Sequence, residues 1–159
     1  MAAGDMRVMI GVPNHDLLEL VNKKVQEYDI KCAIHNHGPG DEQYPSPNDV
    51  YEKVKDLDPR MGICMDIGHT KRINEDPSEL TEKYADRLHD VHIKDVSANT
   101  KEGSTVEIGR GVIDIPKYID TLINIGYEGT TAFEFEKDGD DPLPGLAESV
   151  GYVRGVLDS

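Results

Sequence analysis

Four short apolar segments of this sequence carry ionisable residues at alternating positions. Successive side chains of a β-strand point to opposite faces, so each segment, as a strand, would place these residues on one face. Burying such groups unpaired on a sheet would be costly, but they become tolerable if they converge on a cation or on each other. The residues are His35 and His37, then Cys64 and Asp66, then Asp90, His92 and Lys94, and finally Glu134 and Glu136.

One Asp, one or two His and one or two Glu make a mixed nitrogen and oxygen ligand set. Such a set suits Mn²⁺, Zn²⁺, Co²⁺ or Fe²⁺, with Mg²⁺ less favoured once imidazole is present. Taken alone, Asp66 and His69 could satisfy a turn at a strand end, and residues 91–95 could be a half-exposed edge strand. The same alternation in four segments favours a shared site over four separate structural roles.

Several other residues that could do chemistry are expected to be structural. His15 is at a predicted helix start, where a histidine is usually a surface or capping residue. Asp138, Asp140 and Asp141 form an acidic loop cluster, and such clusters are usually solvated. Two thiols in apolar runs are more often buried than paired. These residues are His15 and His89, the loop residues Asp138, Asp140 and Asp141, and Cys32 and Cys64.

The segments belong to a repeated alternation of strands and helices. Five β-branched or apolar runs are predicted strands, and a helical pattern comes after each one. This alternation predicts parallel βαβ units and an α/β fold. The active sites of parallel barrels lie at the carboxyl ends of the strands, where these ionisable residues fall. The predicted strands are residues 7–12, 31–36, 62–67, 88–96 and 129–135.

Capping residues mark several of the predicted helices. Asn48 is the predicted start of the second helix, and Asp76 with Pro77 begins the third. Asp114 begins the fourth, and Gly126 lies where a C-terminal glycine would end it. Residues 38–47 and 97–111 are predicted loops, long enough to cover a site.

Composition limits the class of protein. The 159 residues fit one domain, and 37% hydrophobic with 30% charged residues is typical of a soluble folded chain. The net charge of −14 opposes binding to nucleic acid and to anionic membranes. The sequence has no apolar run of about 18 residues, and residues 1–5 lack the pattern of a secretory signal. A cytoplasmic location is therefore expected.

At these positions the sequence resembles the xylose-isomerase-like barrel superfamily. Its members include sugar epimerases, hydroxypyruvate isomerase, inosose dehydratase and, more distantly, endonuclease IV. The resemblance runs from about residue 8 to residue 157. Five short motifs carry it, and their order and spacing are specific to the superfamily. They are Ile-His-Asn-His (34–37), Met-Asp-Ile-Gly-His (65–69), Asp-Val-His-Ile-Lys-Asp (90–95), Gly-Arg-Gly (109–111) and Ala-Phe-Glu-Phe-Glu (132–136).

The resemblance implies a (β/α) barrel with one divalent metal ion at the strand ends. Asp66, His92 and Glu134 match the Asp, His and Glu ligands of the family. His35 occupies the position of the fourth ligand, which is usually a Glu. Many epimerases of the family use two ligand glutamates as paired acid and base. Glu136 could compensate here for the missing one.

The implied activity is that of a metal-dependent isomerase, epimerase or dehydratase acting on a small sugar, sugar phosphate or polyol-like substrate. Glu134 or Glu136 would move the proton next to a carbonyl, and the metal with Lys94 or His69 would stabilise the enediolate. The sequence does not choose among the three outcomes. The expected catalytic residues are Glu134, Glu136, His69 and Lys94, and the expected substrate contacts are His37, His69, Lys94 and Asp95.

The chain departs from the family in length. A complete barrel has eight βα units in about 250 residues, whereas residues 1–159 contain about five, as a single domain that lacks the first units. A truncated chain is favoured over a natural half-barrel, although two copies could combine as a homo-oligomer. The alternatives are a hydrolase resembling endonuclease IV, which the acidic charge opposes, and an inactive binding or structural remnant. One bound metal per chain would favour the isomerase, several the hydrolase and none the remnant.

Overall fold

The computed structural model describes residues 8–159, in which strands and helices alternate. None of the described helices is both long enough and apolar enough to cross a membrane. The strands are β1 (Val8–Gly11), β2 (Lys31–His35), β3 (Met61–Asp66), β4 (Leu88–Ile93), β5 (Asp95–Val96), β6 (Thr105–Val106) and β7 (Thr130–Phe133). The helices are α1 (Leu18–Tyr28), α2 (Pro47–Val54), α3 (Ile67–Arg72), α4 (Pro77–Lys83), α5 (Ile115–Asn124) and α6 (Leu143–Leu157), with short 3₁₀ turns at His15–Leu17 and Ala85–Arg87.

Five strands form one parallel sheet in the order β1-β2-β3-β4-β7. This confirms the predicted α/β organisation. Because all five run in the same direction, their carboxyl ends share one edge of the sheet. In the β2–β3 pair His35 is opposite Cys64, and in the β3–β4 pair Asp66 is opposite His92. The register therefore places neighbouring polar residues side by side.

The hydrophobic core covers both faces of the central strands. All six residues of β3 are buried, including Ile63 and Met65. Val50 and Val54 of α2 and Tyr118 of α5 pack in the same cluster and are also fully or almost fully buried. A strand that is covered on both sides leaves little room for a polar side chain except at its end.

The helix starts agree with the sequence prediction at two of three places. Asp76 and Asp114 each cap the following helix, since their carboxylates accept backbone N–H groups of its first turn. The predicted start at Asn48 is wrong, because Ser46 is the N-cap of α2 and accepts the N–H of Asp49 at 3.2 Å. Pro47 occupies the first helical position, where its missing N–H has no cost. Gly126 follows α5 with φ +67°, as predicted.

All five predicted strands end earlier than expected; β1 and β2 end one residue early, at Gly11 and His35. Residues 62–67 stop at Asp66, because its carboxylate accepts the N–H of His69 at 2.6 Å and starts α3 at Ile67. Residues 88–96 are interrupted at Lys94, and the pair Asp95–Val96 joins an antiparallel hairpin with Thr105–Val106 inside the predicted loop. Residues 129–135 stop at Phe133. Of the predicted strand 7–12, Arg7 lies outside the described residues, as do residues 1–5.

Candidate metal and catalytic site

Four polar side chains meet at the carboxyl edge of the sheet. His35, Asp66 and His92 end or nearly end β2, β3 and β4, and Glu134 directly follows β7. One ligand atom from each lies within 4.8 Å of the others. His35 Nε2 is 3.3 Å from Asp66 Oδ2 and 3.4 Å from Glu134 Oε2, while His92 Nδ1 is 3.0 Å from Glu134 Oε2. The structure thus brings together the four residues singled out as metal ligands.

Two atoms of this group are buried without a hydrogen bond. Within residues 8–159, neither His35 Nε2 nor Asp66 Oδ2 forms a well-oriented hydrogen bond, although the two atoms lie 3.3 Å apart and Lys94 Nζ lies 3.1 Å from the oxygen; Asp66 is fully buried. Leaving such atoms unsatisfied costs about 1–3 kcal/mol each, and more for a charged group. A divalent cation among these nitrogen and oxygen atoms would satisfy both, so the donor set fits the metal that the sequence resemblance implies.

Cys64 offers an alternative ligand set with His35 and His92, since its Sγ also lies within 4.8 Å of a nitrogen of each. Burial raises the pKa of the Cys64 thiol far above its ordinary value, and the carboxylate of Asp90 adds to the effect. In the metal-free chain the thiol is therefore protonated, with Sγ 3.9 Å from Asp90 Oδ1. The Cys64 set offers three ligands and the set with two carboxylates offers four, so the larger set is the better one.

Lys94 places a positive charge among the carboxylates. Its side chain is 1% exposed, and its Nζ lies 3.1 Å from Asp66 Oδ2, 3.2 Å from Glu134 Oε2 and 2.6 Å from Glu136 Oε2. Burial opposes protonation, but Asp66 and the two glutamates outweigh it and raise the pKa of Lys94. The ammonium thus neutralises part of the charge that would otherwise keep the carboxylates apart.

The carboxylates also set the protonation of the neighbouring histidine. Burial lowers the pKa of His35, but the carboxylates of Asp66 and Glu134, within 3.4 Å of its Nε2, outweigh it and raise the pKa to about 9. Burial raises the pKa of Glu134, but His35 and His92 more than reverse this and hold it far below its ordinary value. In the absence of a metal, His35 is therefore an imidazolium at neutral pH, and a metal must compete with its proton.

Three further predicted site residues surround this group. His69 on α3 is buried, with its Nε2 4.0 Å from Asp66 Oδ2, and burial lowers its pKa. The Glu136 side chain is 51% exposed. The His37 ring is 4.5 Å from the His35 ring between centroids, and its side chain is 40% exposed. Glu136 and His37 can therefore be reached from solvent, whereas His69 is buried beneath the site.

Asp95 does not join them, although it was expected to bind substrate. It is fully buried, and Oδ1 accepts the N–H groups of Val96 and Ile113. Oδ2 accepts the N–H groups of Gly109 and Gly111 at 3.0 and 2.9 Å. Gly111 has no space for a side chain, because a Cβ would lie 2.1 Å from Asp95 Oδ1. Asp95 therefore holds the loop that follows the hairpin, and both its oxygens are occupied.

Two residues around the site have contacts that strand alternation did not predict. The Asn36 side chain is fully buried; its Oδ1 accepts the N–H of Asp66 at 3.0 Å, and its Nδ2 donates to Thr70 Oγ1. Arg72 contacts His69 from the end of α3. Asn36 lies between His35 and His37 in the sequence, so the His-Asn-His triplet was the one sequence feature that could have pointed to its role near the site.

The residues expected to be structural have structural contacts or are exposed. His89 is buried with its Nε2 2.9 Å from the carbonyl of Pro59. Cys32 and Cys64 are both buried free thiols, as predicted. His15 and the acidic loop residues Asp138, Asp140 and Asp141 are exposed.

The chain belongs to the xylose isomerase-like TIM barrel family, whose model matches residues 16–156. Its five parallel strands form a curled half-barrel, which is consistent with part of that fold. The inosose dehydratase of Lacticaseibacillus casei is 26% identical over 136 residues, which cover 76% of this chain and 45% of the relative. The chain spans about half the length of the curated relatives it matches.

Solved structures show the same fold. The 3-keto-D-glucoside 4-epimerase YcjR of E. coli superposes with a TM-score of 0.74 at 18% identity, covering 89% of this chain and 52% of the epimerase. The IOLI protein, solved with a bound zinc atom, superposes with a TM-score of 0.74 at 17% identity, covering 95% of this chain and 63% of that one.

Proposed function

We propose that this chain carries the metal-binding and proton-transfer part of an enzyme that isomerises, epimerises or dehydrates a small sugar or polyol-like substrate. The observation that supports this most is the convergence of His35, Asp66, His92 and Glu134, with two buried ligand atoms that form no well-oriented hydrogen bond among the described residues. The names of the relatives, which are dehydratases and epimerases of such compounds, point to the same substrate class.

These four residues would hold one divalent ion. When bound, the ion would act as a Lewis acid toward a carbonyl oxygen of the substrate. Two imidazoles and two carboxylates favour Zn²⁺, Mn²⁺, Co²⁺ or Fe²⁺ over Mg²⁺. Within residues 8–159, ligand-type side chains gather at one place, since the two candidate sets share His35 and His92. This favours one metal over the several that a hydrolase of the endonuclease IV type would need.

Glu134 and Glu136 would have different roles, the first as a metal ligand and the second in proton transfer. Glu134 Oε2 lies between His35, His92 and Lys94, so this carboxylate has the surroundings of a ligand. Glu136 contacts Lys94 alone among these residues and is half-exposed, so it can approach a substrate carbon. Glu136 would take the proton next to the substrate carbonyl and later return it. Lys94 would stabilise the negative charge that develops on the substrate oxygen.

The three possible products share this first proton transfer and differ in the second step. Return of the proton by Glu136 to the neighbouring carbon gives isomerisation. Delivery of a proton by a second acid from the opposite face gives epimerisation, and loss of a β-hydroxyl as water gives dehydration. The half-exposed His37, whose ring lies 4.5 Å from that of His35, would contact the substrate.

A matched pair of substitutions tests this division. Glu134→Gln should reduce Zn²⁺ binding, whereas Glu136→Gln should leave it intact and abolish exchange of the proton next to the carbonyl of an inosose in D₂O. Zinc binding is measured by calorimetry and proton exchange by NMR. Undiminished exchange in folded, zinc-loaded Glu136→Gln protein would refute the role of Glu136, and unchanged zinc affinity in Glu134→Gln protein would refute that of Glu134.

A further inference from the structure

Both ring nitrogens of His69 face a hydrogen-bond donor. Arg72 Nη1 lies 3.4 Å from His69 Nδ1, and Lys94 Nζ lies 3.4 Å from His69 Nε2. A neutral imidazole carries one proton and accepts at only one nitrogen. One of the two basic residues must therefore go without this bond, and the position of the proton on the ring decides which.

Lys94 has other partners and Arg72 has few. The Lys94 ammonium lies nearer to the oxygens of Glu136, Asp66 and Glu134, at 2.6, 3.1 and 3.2 Å, than to His69. Within residues 8–159, Arg72 Nη1 has only His69 as a partner, and Arg72 Nε is buried with none. A proton on Nδ1 would leave two guanidinium nitrogens unsatisfied, whereas a proton on Nε2 leaves the lone pair of Nδ1 for Arg72.

The guanidinium is itself held in place by the β5–β6 hairpin. Arg72 Nη2 donates to the carbonyl of Lys101 at 2.9 Å, in the turn between the two strands. A second contact docks the same turn beside α3, because Asn99 Nδ2 donates to Asn74 Oδ1 at 2.7 Å. The carbonyl thus orients Arg72 toward the ring of His69.

We propose that Arg72 is a positioning residue that fixes His69 in the tautomer with its proton on Nε2. This nitrogen faces Asp66 and Lys94 at the floor of the candidate site. His69 thereby presents a hydrogen-bond donor to an oxygen of the substrate. The role toward substrate rests on the proposed function, whereas the tautomer does not.

Nitrogen NMR of the imidazole side chains tests this directly. The full chain is labelled with ¹⁵N and measured with Zn²⁺ and again with a chelator, and His69→Asn identifies the signals of His69. We expect an unprotonated Nδ1 and a protonated Nε2 in the native protein. In Arg72→Met, which keeps the apolar stem but has no donor, we expect a shift toward the tautomer protonated on Nδ1.

Arg60→Met is the matched control. It makes the same substitution at a partly exposed arginine whose guanidinium donates to Asp29 and Asp58. It should not change the tautomer of His69. A native His69 protonated on Nδ1, an Arg72→Met protein with unchanged His69 signals, or the same change in Arg60→Met would each overturn the inference. Absent zinc binding would instead count against the proposed function.

Discussion

At the scale of single residues, the site is a balance of charges in a small buried space. Asp66, Glu134 and Glu136 are all within 3.2 Å of Lys94 Nζ. His35, with its pKa raised to about 9, adds a second positive charge at neutral pH. These cations stabilise the carboxylates in the metal-free chain, and each of them opposes the entry of a divalent ion.

Replacing Lys94 with methionine should therefore strengthen metal binding and weaken the metal-free fold. Two unit charges about 4 Å apart near a protein surface interact by roughly 4 kcal/mol, so even a third of that gives about a tenfold gain in Zn²⁺ affinity. Calorimetric titration measures it. Lys117→Met, which removes a half-exposed lysine paired with Asp76, should not change the affinity. Weaker zinc binding by the Lys94 variant would contradict this account.

The raised pKa of His35 predicts a pH dependence for the metal-free chain. A folded-state pKa of about 9 against an ordinary value of 6.5 stabilises the fold fully below pH 6.5. This contribution, on the order of 1–3 kcal/mol, is lost as pH rises toward 9. Urea unfolding with a chelator present should show the decline, and His35→Gln should flatten it. Stability that instead rises over this range would argue against the imidazolium. Metal affinity should increase over the same range.

At the scale of elements, the sequence allowed the strands and their polar ends to be predicted because alternation is a local property. His35, Asp66 and His92 lie on strands long enough to show it. Helix α3 has six residues, too few to show a recurring helical pattern of apolar residues, and β5 and β6 have two residues each. Their boundaries depend on tertiary hydrogen bonds that the sequence does not display.

Asp95 shows the same limit for a single side chain. The family resemblance implied a substrate contact, but the four N–H groups that Asp95 accepts come from residues 96–113, and only the folded loop brings them together. Arg72 was missed for a similar reason, since its contact with His69 depends on the short helix α3.

Asp95→Asn should therefore destabilise the protein. An amide group replaces one accepting oxygen, and its N–H₂ would then face backbone donors in a buried space. We expect a loss of about 2–4 kcal/mol in the free energy of unfolding, measured by urea denaturation. Asp138→Asn, at an exposed loop position, serves as the control and should change little. Equal stability of the two variants would remove the supporting role assigned to Asp95.

At the scale of the whole molecule, the sheet that residues 8–159 form has two open edges. Among the described residues, β1 pairs only with β2 and β7 only with β4. Met9 and Ile10 on β1 are 45% and 42% exposed. A closed barrel has no such edges, and unpaired strands invite pairing with another chain. We propose that residues 1–159 are one incomplete barrel domain.

Self-association should result from these edges. The net charge of −14 opposes it, so association should increase at high ionic strength. Sedimentation velocity over a range of protein concentrations measures it. Ile10→Lys should weaken association, because a charge on an edge strand disfavours pairing, whereas Leu20→Lys on the exposed side of α1 should not. If both variants behave like the native chain, association does not use the β1 edge.

Metal stoichiometry tests the central claim most directly. The native chain and Asp66→Asn are each equilibrated with Zn²⁺, dialysed, and analysed for zinc by mass spectrometry, with circular dichroism to verify that both are folded. We predict one zinc ion per native chain and a large loss in Asp66→Asn, because that carboxylate is the fully buried member of the ligand set. Folded native protein that retains no zinc, or a variant that retains as much as the native chain, would contradict the account.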